Sequence, residues 1–217
     1  MAGNFLETKF GEMYYELETR SENRKEQLAI FIHGSNKQTQ KINFWSPIRS
    51  IIQSQVNAVV IDLIGHGRSK GTDIEMSFTD HVTSVKLLIN HFTKKMEIRD
   101  LILIGRSYGG AIVQQLAIDI EDIASIGLIA PAGVEKYANQ IKTKKISILW
   151  DVNDPIIPFK QIENYLNTNN EIKLYTLGKP NLNVNNLFYI GSDNNPSHEP
   201  ELQSPELFTR FLKSLIE

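Results

Sequence analysis

Residues 101–110, Leu101-Ile102-Leu103-Ile104-Gly105-Arg106-Ser107-Tyr108-Gly109-Gly110, decide the fold. An unbroken aliphatic run of this length reads as a strand buried on both faces. The amphipathic stretch at 111–121 reads as a helix. Gly105-x-Ser107-x-Gly109 must turn the chain from one to the other, which makes it a strand–turn–helix elbow with a serine at its apex. The chemistry of serine gives that position meaning. A hydroxyl is a weak nucleophile at neutral pH, so it must stand in the open beside a base and hydrogen-bond donors. An apex residue carries about 1–3 kcal/mol of backbone strain, which its surroundings must hold in place. Glycines on either side let strand and helix approach closely.

Outward from the elbow, strand-like and helix-like segments alternate. Residues 13–19 and 28–33 read as strands around a polar hairpin at 20–27. A short helix is predicted at 44–53, a β-branched apolar strand at 58–63 and a longer helix at 77–96. Beyond the 111–121 helix come strands at 126–130, 146–150 and 172–177. A helix at 159–167 lies between the last two, and a helix at 205–216 closes the chain. This alternation predicts an α/β fold in one domain over 1–217, with a mostly parallel central sheet flanked by helices and antiparallel first strands. The asparagine-rich stretch 178–196 reads as a long loop carrying a short extra strand at 187–190. It is either a surface insertion or a wall of the site.

The composition narrows the classes. With 217 residues, 41% hydrophobic and 22% charged, the chain is an ordinary globular sequence rather than a disordered or membrane one. A net charge of −2 gives no global attraction to nucleic acid or anionic lipid, so neither a nucleic-acid partner nor membrane insertion is expected. The absence of cysteine removes disulfides, thiolate metal sites and a cysteine nucleophile, and fits a cytoplasmic location. The first residues have neither a basic nor an apolar signal region. No H-E-x-x-H or phosphate-cradling glycine loop is present, so no metal and no cofactor is expected. The lysines at 136, 142, 144 and 145 read as a solvated face, with a rim contact to an anionic substrate as the alternative. The sequence does not indicate an oligomeric state.

In a parallel α/β sheet, reactive groups collect at the carboxyl ends of strands. Those ends carry His33-Gly34-Ser35-Asn36, Asp62-Leu63-Ile64-Gly65-His66-Gly67-Arg68-Ser69 and Trp150-Asp151-Val152-Asn153-Asp154-Pro155-Ile156-Ile157-Pro158, with Ser197-His198-Glu199-Pro200 further on. Serine, acid and histidine thus occur in the order Ser107, Asp154, His198. Of the five histidines, His81 and His91 fall within the 77–96 helix and read as surface or boundary residues. His33 and His66 precede glycines in loops, where turn formation accounts for them, although His33 could also line the site. Asp151 and Asp193 compete with Asp154 for the acid. Asp62 reads as structural, tying the following loop through its carboxylate, and Arg68 likewise. Phe44, Trp45, Tyr108 and Ile157 are candidates to line a shallow pocket, with a core role the stronger reading for the first two.

On these motifs the chain resembles the α/β-hydrolase-fold serine hydrolases nearly end to end. The resemblance rests on His33-Gly34, Asp62-x-x-Gly65-His66-Gly67-x-Ser69, the Gly105–Gly109 elbow, Asp154-Pro155-Ile156-Ile157-Pro158 and His198-x-Pro200 before Pro205-Glu206. It implies that Ser107 attacks an acyl carbonyl, His198 is the base and Asp154 orients the imidazole. It also implies that the backbone N–H groups of Tyr108 and Ser35 hold the oxyanion. Many members insert a cap where only 131–145 stand here, so a small, essentially capless type is implied. The expected activity is hydrolysis of an ester or thioester in a small-molecule acyl substrate, through an acyl-enzyme. An amidase or peptidase, and a non-catalytic binding protein retaining the fold, are the alternatives.

Overall fold

The computed structural model describes residues 3–19, 26–35, 45, 49–71, 75–143, 145–166, 168, 171–182, 185–191 and 196–217, with backbone alone at 53–55. Its strands are β1 (Asn4–Thr8), β2 (Gly11–Glu18), β3 (Gln27–Ile32), β4 (Ala58–Ile61), β5 (Lys70–Gly71) and β6 (Asp100–Arg106). They continue with β7 (Ile123–Ile129), β8 (Lys145–Asp151), β9 (Glu171–Leu177) and β10 (Leu187–Ile190). The helices are α1 (Arg49–Gln55), α2 (Phe78–Lys95), α3 (Tyr108–Asp119), α4 (Val134–Tyr137), α5 (Glu163–Leu166), α6 (Pro200–Gln203) and α7 (Pro205–Ile216). The strands form one sheet in the order β1-β2-β4-β3-β6-β7-β8-β9-β10, with β5 paired to β2. From β4 through β10 every neighbour is parallel, while β1, β2 and β5 are antiparallel additions at one edge.

The central strands are apolar through most of their length because both their faces are covered. In β3, Leu28, Ile30 and Ile32 pack on one side with Val85, Leu88 and Phe92 of α2 and Ile112 and Leu116 of α3. Ala29 and Phe31 point the other way, toward Ile52 of α1 and Leu207, Phe208 and Phe211 of α7. Strand β6 alternates in the same manner. This is the doubly covered parallel sheet that unbroken Val/Ile/Leu strands require.

One pairing differs from the sequence expectation. The strands at 13–19 and 28–33 do not form a hairpin. β2 pairs with β1 and β4, and β3 lies between β4 and β6. The observed hairpin joins β1 to β2 across Lys9-Phe10, where the Thr8 hydroxyl donates to the Gly11 carbonyl at 2.8 Å. The physical reason is burial: β3 is almost wholly apolar and gains most at the centre of the sheet, whatever the polarity of the loop before it. Residues 20–25 of the expected hairpin lie outside the described residues.

Elsewhere the departures are small. The 77–96 helix is observed as α2, with Ser77 as N-cap and Met96 as C-cap. The helix expected at 44–53 begins at Arg49, and Phe44 lies outside the described residues. Residues 159–166 are a 3-10 turn (Phe159–Ile162) followed by α5. The island at 187–190 forms β10, parallel to β9 with Leu187 opposite Leu174. Among the described residues between β7 and β8 stand only α4 and a 3-10 turn (Ala138–Gln140). The parallel strands bring the carboxyl ends of β3, β4, β6 and β8 to one edge of the sheet.

Candidate active site

Ser107 stands at φ 50°, ψ −115°, between the end of β6 and the first residue of α3. For a residue with a side chain this conformation is strained, and the neighbourhood enforces it. The Ser107 N–H donates to Ile129 O at 2.9 Å, and its carbonyl accepts from Ala132 N–H at 3.0 Å. A Cβ on Gly105 would collide with the Gly109 carbonyl, and one on Gly109 with the Ile32 and His33 carbonyls. The elbow therefore exists only because both flanking positions are glycine.

Asp154 and His198, 44 residues apart, meet here: the imidazole Nδ1–H donates to Asp154 Oδ2 at 2.8 Å. The same oxygen accepts from the Trp150 indole N–H at 3.1 Å, while Oδ1 accepts from the Ile156 and Ile157 amides at 2.8 and 3.0 Å. Burial pushes the Asp154 carboxyl up. The hydrogen bonds from His198, Ile157 and Ile156 and the charge of His198 outweigh it and leave the group below the ordinary aspartate range. A carboxylate held ionised against Nδ1–H fixes the tautomer in which Nε2 accepts a proton.

Asp151 does not contact the imidazole. It accepts from Asn153 N–H and, at 2.8 Å, from Ser197 N–H, so it anchors the segment that presents His198. Asp193 lies outside the described residues. Gly34 runs beside Ser107, since a Cβ built on it would lie 3.3 Å from Ser107 Cβ. The next residue, Ser35, is exposed, and Tyr108 is the first residue of α3.

The histidines around the site differ from expectation. His81 is buried, not a surface or boundary residue. It belongs to the inward stripe of α2 with Val85, Leu88 and Phe92, a spacing of three and four residues that the sequence itself contains. Its Nε2–H donates to Ile64 O at 3.1 Å, which leaves Nδ1 to accept from the Tyr108 hydroxyl at 2.9 Å. His91 is half-buried, edge-on to Tyr15 and Phe92, and burial and then Lys95 push its pKa down.

His33 accepts from Leu63 N–H at 2.9 Å through Nε2, so its Nδ1 carries the proton and donates to Gly34 O at 2.6 Å. His66 lies between the other two rings, at 5.3 and 5.6 Å. Among the described residues no group of three or more His, Cys, Asp or Glu could hold a metal ion. Asp62 ties its loop as expected, accepting from Arg68 N–H at 2.9 Å. Trp45 is buried against Phe31, a core residue. Tyr108 and Ile157 are partly buried. Of the lysines, Lys136 lies over the Tyr137 ring, Lys142 pairs with Glu121, and Lys144 lies outside the described residues. Sequence reasoning missed Trp150, whose indole steadies Asp154, and Arg106, whose guanidinium reaches the His198 carbonyl.

Beside Asp154 a cleft of about 490 Å³ opens between Val152, Pro158, Phe159, Lys160 and Leu182. Leu182 and the neighbouring Asn181 bring the asparagine-rich segment to its wall.

Known proteins share this fold. The chain resembles an α/β serine hydrolase homologue from Coxiella burnetii at TM-score 0.76 and 16% identity, covering 100% of this chain and 97% of the other. It resembles the ferulic-acid-bound Est1E from Butyrivibrio proteoclasticus at TM-score 0.74 and 15% identity, covering 98% and 97%. A haloalkane dehalogenase of Mesorhizobium japonicum is 30% identical over 89 residues, which is 41% of this chain and only 26% of that enzyme's length. Residues 23–174 match the family described as serine aminopeptidase, S33. With most of the sheet and the whole elbow inside that match, the chain belongs to this family of α/β-hydrolase-fold serine hydrolases.

Proposed function

We propose that the protein hydrolyses an ester or thioester of a small acyl substrate through an acyl-enzyme, with Ser107 as nucleophile, His198 as general base and Asp154 as its orienting acid. Ser107 Oγ attacks the acyl carbon while its proton passes to His198 Nε2. Backbone N–H groups of Tyr108 and Ser35 receive the oxyanion. His198 returns the proton to the departing alcohol or thiol, and water then repeats the attack on the acyl-serine. The observation that carries this reading is the 2.8 Å contact between His198 Nδ1 and the buried Asp154 carboxylate. Without such a partner the imidazole has neither a fixed tautomer nor compensation for the charge it takes on. The short β7–β8 connection supports an uncapped site within one domain over 1–217, open to acyl groups presented at the surface.

The family description favours a second reading, amide cleavage by the same residues. A fluorophosphonate probe tests the shared chemistry: wild type is labelled, Ser107→Ala is not, and His198→Ala is labelled at least 100-fold more slowly, on the order of losses seen when triad members are removed. Labelling that survives loss of Ser107 sinks the proposal. Parallel turnover of p-nitrophenyl esters, thioesters and aminoacyl p-nitroanilides separates the two readings, with the esters and thioesters expected to be faster.

A further inference from the structure

Arg106 fills the first variable position of the elbow, and its side chain turns inward with only 11% exposed. Nη2 donates to the His198 carbonyl at 3.1 Å and to Glu199 Oε1 at 3.0 Å. Nη1 lies near the loop that follows β3 beside Ser107, since a Cβ on Gly34 would come within 3.8 Å of it. Nε lies 3.4 Å from Glu201 Oε1. Glu201, in α6, is completely buried, and neither carboxylate oxygen has a hydrogen-bond partner in another described residue. A carboxylate in that setting is costly unless an opposite charge lies against it, and an apolar side chain of similar volume would serve packing better. Its presence therefore points to the arginine it faces.

The ties on His198 show what the arginine adds. The Asp154 contact and the Asp151–Ser197 hydrogen bond both fix the histidine segment to the end of β8. Ser107 directly follows β6, two strands away in the sheet. Arg106 joins the His198 backbone to the strand that leads into Ser107. We propose that Arg106 is a positioning residue that clamps His198 to the elbow, with Glu201 as its buried counter-charge. The inference rests on the triad reading above. It adds a residue whose loss misplaces the base without touching substrate.

The clamp has a pH dependence. Charged groups acting on Glu201 are Arg106 from β6, Glu199 from the segment before α6 and Asp154 from the loop after β8. Burial pushes its carboxyl up, Arg106 and its own backbone N–H oppose, Glu199 and Asp154 add to the rise, and the outcome is about 7. Above that pH Glu201 is ionised and pairs with Arg106. Below it the counter-charge is lost, which adds an ionisation to the acid limb of kcat.

Wild type, Arg106→Met, Arg106→Lys and Glu201→Gln are compared for ester turnover, fluorophosphonate labelling of Ser107 and thermal unfolding. Arg106→Met is expected to lower kcat and labelling rate about 10- to 100-fold, the scale of an ångström-level misplacement, with KM little changed. Arg106→Lys recovers part of the loss. Glu201→Gln makes the acid limb of log kcat against pH shallower, from a slope approaching about two to about one. A folded Arg106→Met enzyme labelled at the wild-type rate overturns the clamp while leaving the triad intact. If Arg106→Met does not fold, wild-type kcat in Arg106→Lys together with an unchanged profile in Glu201→Gln overturns it. A wild type that the probe does not label overturns the triad reading, and the clamp falls with it.

Discussion

Ser107 holds its backbone in a region that suits glycine, and the geometry around it leaves no other choice: its N–H is committed to Ile129 and its carbonyl to Ala132. The strain, about 1–3 kcal/mol, is set against the stability of the whole sheet. Ser107→Gly should therefore unfold at higher urea concentration than Ser107→Ala by about 1 kcal/mol, after allowing for the greater chain entropy of glycine. Both lack the hydroxyl, so the comparison isolates the backbone, and equal midpoints would refute the strain. At this scale the serine, its glycines and the order of serine, acid and histidine were legible in the sequence. The choice between Asp154 and Asp151 was not. Both precede the same loop, and only the folded chain directs one carboxylate to the imidazole and the other to Ser197 N–H. His81 shows an oversight of a different kind, because its place on the apolar stripe of α2 was present in the sequence.

Helix α2 illustrates how local chemistry fixes an element. Ser77 accepts from Asp80 N–H at 3.2 Å, and Asp80 accepts from Ser77 N–H at 3.1 Å, a reciprocal cap written into Ser77-Phe78-Thr79-Asp80. Replacing Ser77 by alanine should cost about 1 kcal/mol in urea unfolding and leave ester turnover unchanged, since the cap is exposed. A fall in kcat at unchanged KM would instead couple this end of α2 to the site. Strand identity was equally local, because β-branched apolar runs announce themselves. Strand order was not. β2 and β3 are successive in sequence yet are separated by β4, because pairing is decided by which strands can be covered on both faces.

Across the whole molecule, the antiparallel edge is fastened by charge as well as by backbone pairing. Tyr14, Glu16 and Glu18 share one face of β2. Arg49 of α1 pairs with both glutamates, and Arg68 reaches Tyr14 at 2.6 Å and Glu16 at 3.1 Å. Burial pushes Glu16 up, but hydrogen bonds from Arg49 and Tyr14 and the charges of Arg49 and Arg68 prevail, so its carboxyl sits below its ordinary 4.5. A lowered folded value means stability fully present above 4.5 and lost as pH falls through the folded value. Arg49→Met, which strands two buried carboxylates, should cost about 3 kcal/mol near neutrality, the low end for a broken buried pair because Arg68 remains. The deficit should shrink on acidification as Glu16 takes up a proton. A deficit that stays constant from neutral to acid pH would show that Arg49 acts through packing alone.

The sequence by itself determined the alternation of strands and helices, the glycine-bounded elbow, the cap of α2 and the chain order of Ser107, Asp154 and His198. These depend on periodicity, on the absence of a Cβ and on side-chain chemistry within a few residues. Only the tertiary structure decided the neighbours of β3, the acid that meets His198, the burial of His81 and the contact of Arg106 with His198 and Glu201. Each joins segments that burial and charge pairing bring together in space, and no local pattern encodes which distant partner a side chain will meet.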